Sequence, residues 1–152
     1  MKENILDDID IKILTLLQKD SRISIKSIAE KVFVSQPTVS ARIDALTEKG
    51  IIKGYYTEID SSVYDNSIKC YIQIEVSPTK KEELCEIIRN TPQVIECDKI
   101  TGEYSLILKM VFKNTVEMDK YINEFQHYGR TNTQIIFSSV VSYRGALLSK
   151  QK

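Results

Sequence analysis

The chain has no surplus of charge of either sign: its 152 residues carry 21 lysines and arginines against 21 aspartates and glutamates. The balance holds even within residues 1–60, which disfavours a non-specific DNA coat, whose affinity would rest on phosphate neutralisation. It leaves room for a specific reader with a small local footprint. No run approaches the roughly 20 apolar residues of a membrane span, and MKENILDDID at the N-terminus lacks the apolar stretch of a signal peptide. A cytoplasmic protein without a membrane partner is expected. Cys70, Cys85 and Cys97 are odd in number and show no C-x-x-C spacing, which argues for buried free thiols over a disulfide framework or a zinc site. The single histidine, His127, lacks a supporting Cys/His/Asp constellation and reads as a helix cap or surface group. There is no phosphate-binding loop and no nucleophile paired with a base, so no catalytic residue, metal site or cofactor is assigned.

Apolar content of 42% and charged content of 28% fit a soluble chain of one ordinary domain or two small ones. Its most informative stretch runs from Ser24 to Tyr55. Apolar residues Ile28, Ala29, Val32, Val34, Val39, Ile43 and Leu46 recur at helical spacing on both sides of a Phe33-Val34-Ser35 break, as two helices sharing a core require. Ser35 stands where an N-cap belongs, and Pro37 lies in the first turn, where its missing N–H costs nothing. A preceding helix is expected from about Asp8 to Gln18, with helices at about Ile25 to Val32 and Gln36 to Lys49, then Gly50 as a C-cap. The alternating IIKGYYTEID that follows, carrying Gly54, suits a short wing or a strand leaving the domain. This is an arrangement that presents a helix to double-stranded DNA.

A polar, turn-rich stretch at residues 61–67 is the expected linker between a domain at 1–60 and a second at 68–152. From Ile68 the period changes: Ile68, Cys70, Ile72, Ile74 and Val76 alternate with polar residues, a strand signal. A helix over about Lys80 to Asn90, strands over about Val94 to Thr101 and Tyr104 to Phe112, a helix over about Val116 to Gln126 and a strand over about Thr133 to Tyr143 complete βαββαβ. That order is ferredoxin-like, with both helices on one face of a four-stranded sheet, so the whole chain is α+β. Tyr121, Phe125 and Phe137 read as core. Ile107 and Val111 of the third strand, and Ile136 and Val140 of the last, oppose the other apolar set, so both sheet faces look apolar. A second copy of the sheet is the expected cover, giving a twofold homodimer whose DNA-reading domains face two half-sites.

These residues resemble the Lrp/AsnC (leucine-responsive, or feast/famine) family of transcription regulators. The resemblance is carried by Asp7-Asp8-Ile9-Asp10, Asp20-Ser21-Arg22-Ile23-Ser24, Ile28-Ala29, Ser35 with Thr38-Val39 and Arg42-Ile43, Leu46, Gly50-Ile51-Ile52 and Gly54-Tyr55. Thr101-Gly102-Glu103-Tyr104 and Thr131-Asn132-Thr133 carry it in the second half. It implies a winged helix-turn-helix domain joined to a ferredoxin-like sensing domain, dimers through the latter, frequent octamers, and an amino acid or similar metabolite as effector. Two positions depart from the family pattern. Phe33 stands at a turn position where glycine is common, so the turn must avoid positive φ or tolerate strain. Ser105 stands where many members have an aspartate able to pair with an effector's ammonium group.

Ser35, Gln36, Thr38 and Ser40 are the candidate base and phosphate contacts at the start of the recognition helix. Arg42 is placed to reach groove or backbone, with a surface ion pair to Asp44 or Glu48 as its other reading. Arg22 and Lys53 are candidate flanking phosphate contacts. For the effector, Gly102 is read as permitting close approach of two strands or simply as a hairpin turn, with Glu103, Tyr104 and Ser105 as contacts beside it. Thr131 and Thr133, alternating onto one face, are candidate partners for a small carboxylate. The expected function is a sequence-specific, metabolite-responsive DNA-binding regulator. The alternatives are an effector-independent architectural protein that wraps or bends DNA and a small dimeric ferredoxin-like enzyme.

Overall fold

A computed structural model describes residues 6–59, 63, 68–141 and 143–148. The chain divides into two compact units, Met1–Glu58 with Val141–Lys152, and Ile59–Val140.

Three helices build the first unit: α1 (Asp8–Lys19), α2 (Ile25–Val32) and α3 (Gln36–Glu48). Each begins at a side-chain cap. Asp7 accepts the Asp10 N–H at 2.8 Å while the Asp10 carboxylate accepts the Asp7 N–H at 3.1 Å, a reciprocal capping box. Ser24 and Ser35 accept the N–H groups of Ser27 and Thr38, and Pro37 lies in the first turn of α3. Helix α3 ends at Gly50, φ +67°, where the Ile51 N–H reaches the Leu46 carbonyl and the Gly50 N–H that of Thr47. That is a Schellman end. Helix α2 ends the same way, with the Val34 N–H on the Ala29 carbonyl, but its left-handed residue is Phe33, φ +60°. The turn therefore tolerates strain. Ile13, Ile28, Ala29, Val32 and Val39 form the buried core, flanked by Ile9, Leu16 and Ile43.

Two details of this unit differ from the expected spans. Residues 51–59 form no strand, because a wing needs a pairing partner and none of the described residues supplies one. The residues from Val141 onward group with the first unit and not with the second; Gly145 lies against the Gln18 side chain.

In the second unit, β1 (Ile68–Val76), α4 (Lys81–Arg89), β2 (Val94–Lys99), β3 (Leu106–Phe112), α5 (Thr115–Gln126) and β4 (Gly129–Ile135) follow the expected order. The sheet order is β2-β3-β1-β4, antiparallel throughout. Alternation decides the faces: Cys70, Ile72, Ile74, Leu106, Leu108, Met110 and Phe112 are buried, together with Leu84 and Ile88 of α4 and Phe125 of α5. Tyr121 packs its ring 5.6 Å from that of Phe112 and donates its hydroxyl to Gln93.

The last strand is displaced from its expected span. It begins at Gly129 because its polar start pairs with β1, Gly129 opposite Val76, and it stops at Ile135 opposite Cys70, near the beginning of β1. Phe137 is consequently not core but 97% exposed, and Val140 is 99% exposed. The opposite sheet face is mixed, not apolar: Ile107 and Val111 share it with Lys69, Tyr71, Gln73 and Lys109, all part-buried. Cys97 is exposed on the edge strand β2, covered on one side only, whereas Cys70 and Cys85 are buried. Burial pushes the Cys70 thiol up to about 11. The linker at 61–67 lies outside the described residues except for Val63.

Candidate nucleic-acid interface and effector site

The core residues of α3 face inward, which leaves Ser35, Gln36, Thr38, Ser40 and Ala41 exposed on its first half. Four of these five carry hydrogen-bonding groups. The Ser35 and Thr38 hydroxyls lie 2.8 Å apart and bond each other, so they are held as one polar unit beside the helix N-terminus. Gln36 and Ser40 extend the same half of the helix. A glutamine amide there has the donor–acceptor pair that matches an adenine edge in a major groove. Arg22 and Lys53 are both exposed outside α3.

Arg42 behaves differently from its reading as a DNA contact. Its guanidinium is turned to α1, with Nη1 2.6 Å from Asp7 and 2.8 Å from Asp10. The partners are thus the two carboxylates of the α1 capping box, not Asp44 or Glu48. Arg42 and Asp10 are only 29% and 16% exposed, so the contact ties two helices together rather than decorating the surface. Asp7 is held below its ordinary value of 3.8, chiefly by the Asp10 N–H and also by Arg42. Both contacts run through the same nitrogen, Nη1 of Arg42.

In the second unit the sequence-named effector residues separate into two groups. Thr131 and Thr133 pair with Ile74 and Ile72, so they face the helical side, where the Gln126 amide reaches the Thr131 hydroxyl at 3.4 Å. Glu103 and Tyr104 instead gather on Arg130. The Arg130 guanidinium donates to Glu103 and, through Nε at 3.1 Å, to Glu75, and it lies 5.3 Å above the Tyr104 ring. Arg130 was not picked out from the sequence. Its only signal was register: Glu75 stands directly opposite it on β1, a pairing visible only once the true start of β4 is known.

Ser105 is engaged as well. Its hydroxyl accepts the Val76 N–H at 3.1 Å and lies 3.4 Å from the carbonyls of Ile74 and Val76, which stitches the start of β3 to the end of β1. Gly102 does not mediate a close approach. Nothing lies within 4 Å of where its Cβ would be, and its φ of +111° is what requires glycine. The close approach is at Gly129, where a Cβ would sit 1.8 Å from the Glu75 carbonyl oxygen. His127 is the C-cap of α5, its Nδ1 3.2 Å from the Glu124 carbonyl. Among the described residues no cluster of His, Cys, Asp or Glu has the makings of a metal site, and no helix is long and apolar enough to cross a membrane.

Known proteins share both units. Residues 6–53 match the family model for winged helix-turn-helix DNA-binding domains, and residues 69–146 match that for the Lrp/AsnC ligand binding domain. The HTH-type transcriptional regulator LrpC of Bacillus subtilis is 31% identical over 140 residues, covering 92% of this chain and 97% of LrpC. The HTH-type transcriptional regulator FL11 of Pyrococcus furiosus is 30% identical, covering 78% of this chain and 79% of FL11. The solved structure of LrpC superposes with a TM-score of 0.84 over 91% of this chain and 99% of its own. A Neisseria meningitidis transcriptional regulator solved with L-Met shares the fold at a TM-score of 0.84 and 20% identity, over 90% of this chain and 93% of its own. With a reading helix in one unit and a ligand-binding fold in the other, the chain belongs to the Lrp/AsnC family of DNA-binding transcription regulators.

Proposed function

We propose that this chain is a cytoplasmic, sequence-specific regulator that reads duplex DNA as a homodimer or larger assembly, and that an amino acid or related metabolite biases that binding. The observation that carries the reading is the exposed set Ser35, Gln36, Thr38 and Ser40 on the first half of α3, where a recognition helix contacts base edges. The ligand-binding fold of the second unit supports a small-molecule response. Its candidate surface centres on Tyr104 and Arg130, where an amino acid would exchange the Arg130 pairs with Glu103 and Glu75 for its own carboxylate and ammonium groups. For such a ligand to act, it must favour one DNA-binding state over another. The test is selection of bound genomic fragments with and without a pool of amino acids. A recovered common motif whose occupancy shifts with the pool supports the reading, and recovery of unrelated fragments in both arms overturns it.

One observation favours a second reading, an architectural protein that wraps or bends DNA without an effector. Arg130 already has two carboxylates and the Ser105 hydroxyl already has the Val76 N–H. A ligand would have to displace those contacts. Footprints indifferent to every amino acid, with regular protection over long fragments, would establish this alternative.

A further inference from the structure

Phe33 occupies a backbone position that glycine fills at lower strain, and its ring contributes almost nothing to folding. Its φ of +60° lies in the left-handed region, and the equivalent end of α3 uses Gly50 at +67°. The ring is 89% exposed, so no burial offsets the strain. A strained residue with an exposed aromatic ring invites a search for a role outside the fold.

Its surroundings say which. Phe33 is two residues before the Ser35 cap of α3, and with Lys26, Glu30 and Gln36 it lines an open groove of about 610 Å³ between α2 and the start of α3. Lys26 and Glu30 lie one turn apart on α2 and carry opposite charges, so that wall offers a phosphate little net attraction. What remains is an apolar ring beside a glutamine amide, at the end of the helix that meets base edges. In a major groove the apolar feature of a base edge is the thymine C5-methyl. We propose that Phe33 is a specificity-determining residue, its ring packing on a thymine methyl next to the base contacted by Gln36. The inference rests on the reading of α3 as the recognition helix.

The test uses the full-length protein and a duplex that it selects from a random pool, at one fixed salt concentration. Each thymine is replaced in turn by deoxyuridine, which lacks only the methyl. The wild type is expected to lose about fourfold in affinity at one thymine per half-site, the worth of one buried methyl-sized group. Phe33→Gly is expected to lose a similar factor on the unmodified duplex, and nothing further on the uridine duplex. Its thermal midpoint stays level or rises, which separates the effect from unfolding. Gln36→Ala reports on the underlying reading. If it weakens binding while Phe33→Gly does not, this inference alone fails; if neither matters, α3 is not the reader and both fail. A wild type indifferent to every methyl, additive losses, or a Phe33→Gly protein altered in sedimentation instead of thymine discrimination also overturns the proposal.

Discussion

Arg42 shows what a side chain's sequence neighbours conceal. On α3 it lies near Asp44 and Glu48, and helical spacing points to them, yet its partners Asp7 and Asp10 come from the other end of the unit. Those carboxylates are themselves fixed by the capping box, so the arginine meets two acceptors already in place and loses little more freedom in binding them. Arg42→Ala should cost about 1 kcal/mol of stability, read by urea denaturation. The slope of log affinity against log salt on a cognate duplex should stay unchanged. A slope smaller by about one would restore Arg42 as a phosphate contact. The caps Ser35 and Gly50 and the oddity of Phe33 were legible because local backbone geometry dictates them; the carboxylates of Arg42 and Glu103's hold on Arg130 were not, because they depend on tertiary and cross-strand neighbours.

Strands and helices were legible wherever apolar period was clean, as in β1, β3 and α2, and illegible where pairing set the limits. Strand β4 begins with Gly129-Arg130-Thr131-Asn132-Thr133, which has no apolar alternation, and it exists because β1 offers it an antiparallel ladder. The ladder passes so near Gly129 that a Cβ would meet the Glu75 backbone. Gly129→Ala must therefore open the β1/β4 pairing, with an expected loss of about 3 kcal/mol, whereas Gly102→Ala should cost about 1–2 kcal/mol from its positive φ alone. Chemical denaturation of the two variants checks the order, and equal losses would contradict it. Helix ends also set the acid response. Asp7 lies below its ordinary 3.8 through the Asp10 N–H, and Glu117 below its ordinary 4.5 through the Lys113 N–H. Both carboxylates favour the folded state while charged, fully so above those ordinary values, and the contribution is lost as pH falls through the lowered folded ones. Asp7→Asn keeps a capping oxygen but removes its titration. The fall in stability between about pH 5 and pH 3 should become shallower than in the wild type, in denaturant titrations across that range; an unchanged slope would assign the acid sensitivity elsewhere.

Across the whole molecule, a chain with no net charge and four polar side chains on one reading helix makes a weak monomeric DNA binder. The homodimer proposed above would supply the missing affinity, since a second linked contact becomes intramolecular. The sequence pointed to association through two apolar sheet faces. The structure relocates that argument to the end of β4, where Ile135 closes the ladder and Phe137 and Val140 are exposed beyond it, while the sheet face itself is mixed. Phe137 and Val140 bury almost nothing in a single chain, which makes them the surface on which the proposed homodimer is tested. Phe137→Asp should leave the helical circular dichroism intact, because the ring has no packing to lose, and should shift sedimentation at micromolar concentration from dimer or larger to monomer. DNA affinity should fall with it by at least about a hundredfold, the scale of lost bivalency. A Phe137→Asp protein that remains dimeric would place the interface elsewhere. One that becomes monomeric yet binds DNA as tightly as the wild type would show that a single copy of α3 suffices, and the role of symmetry in reading the operator would fall with it.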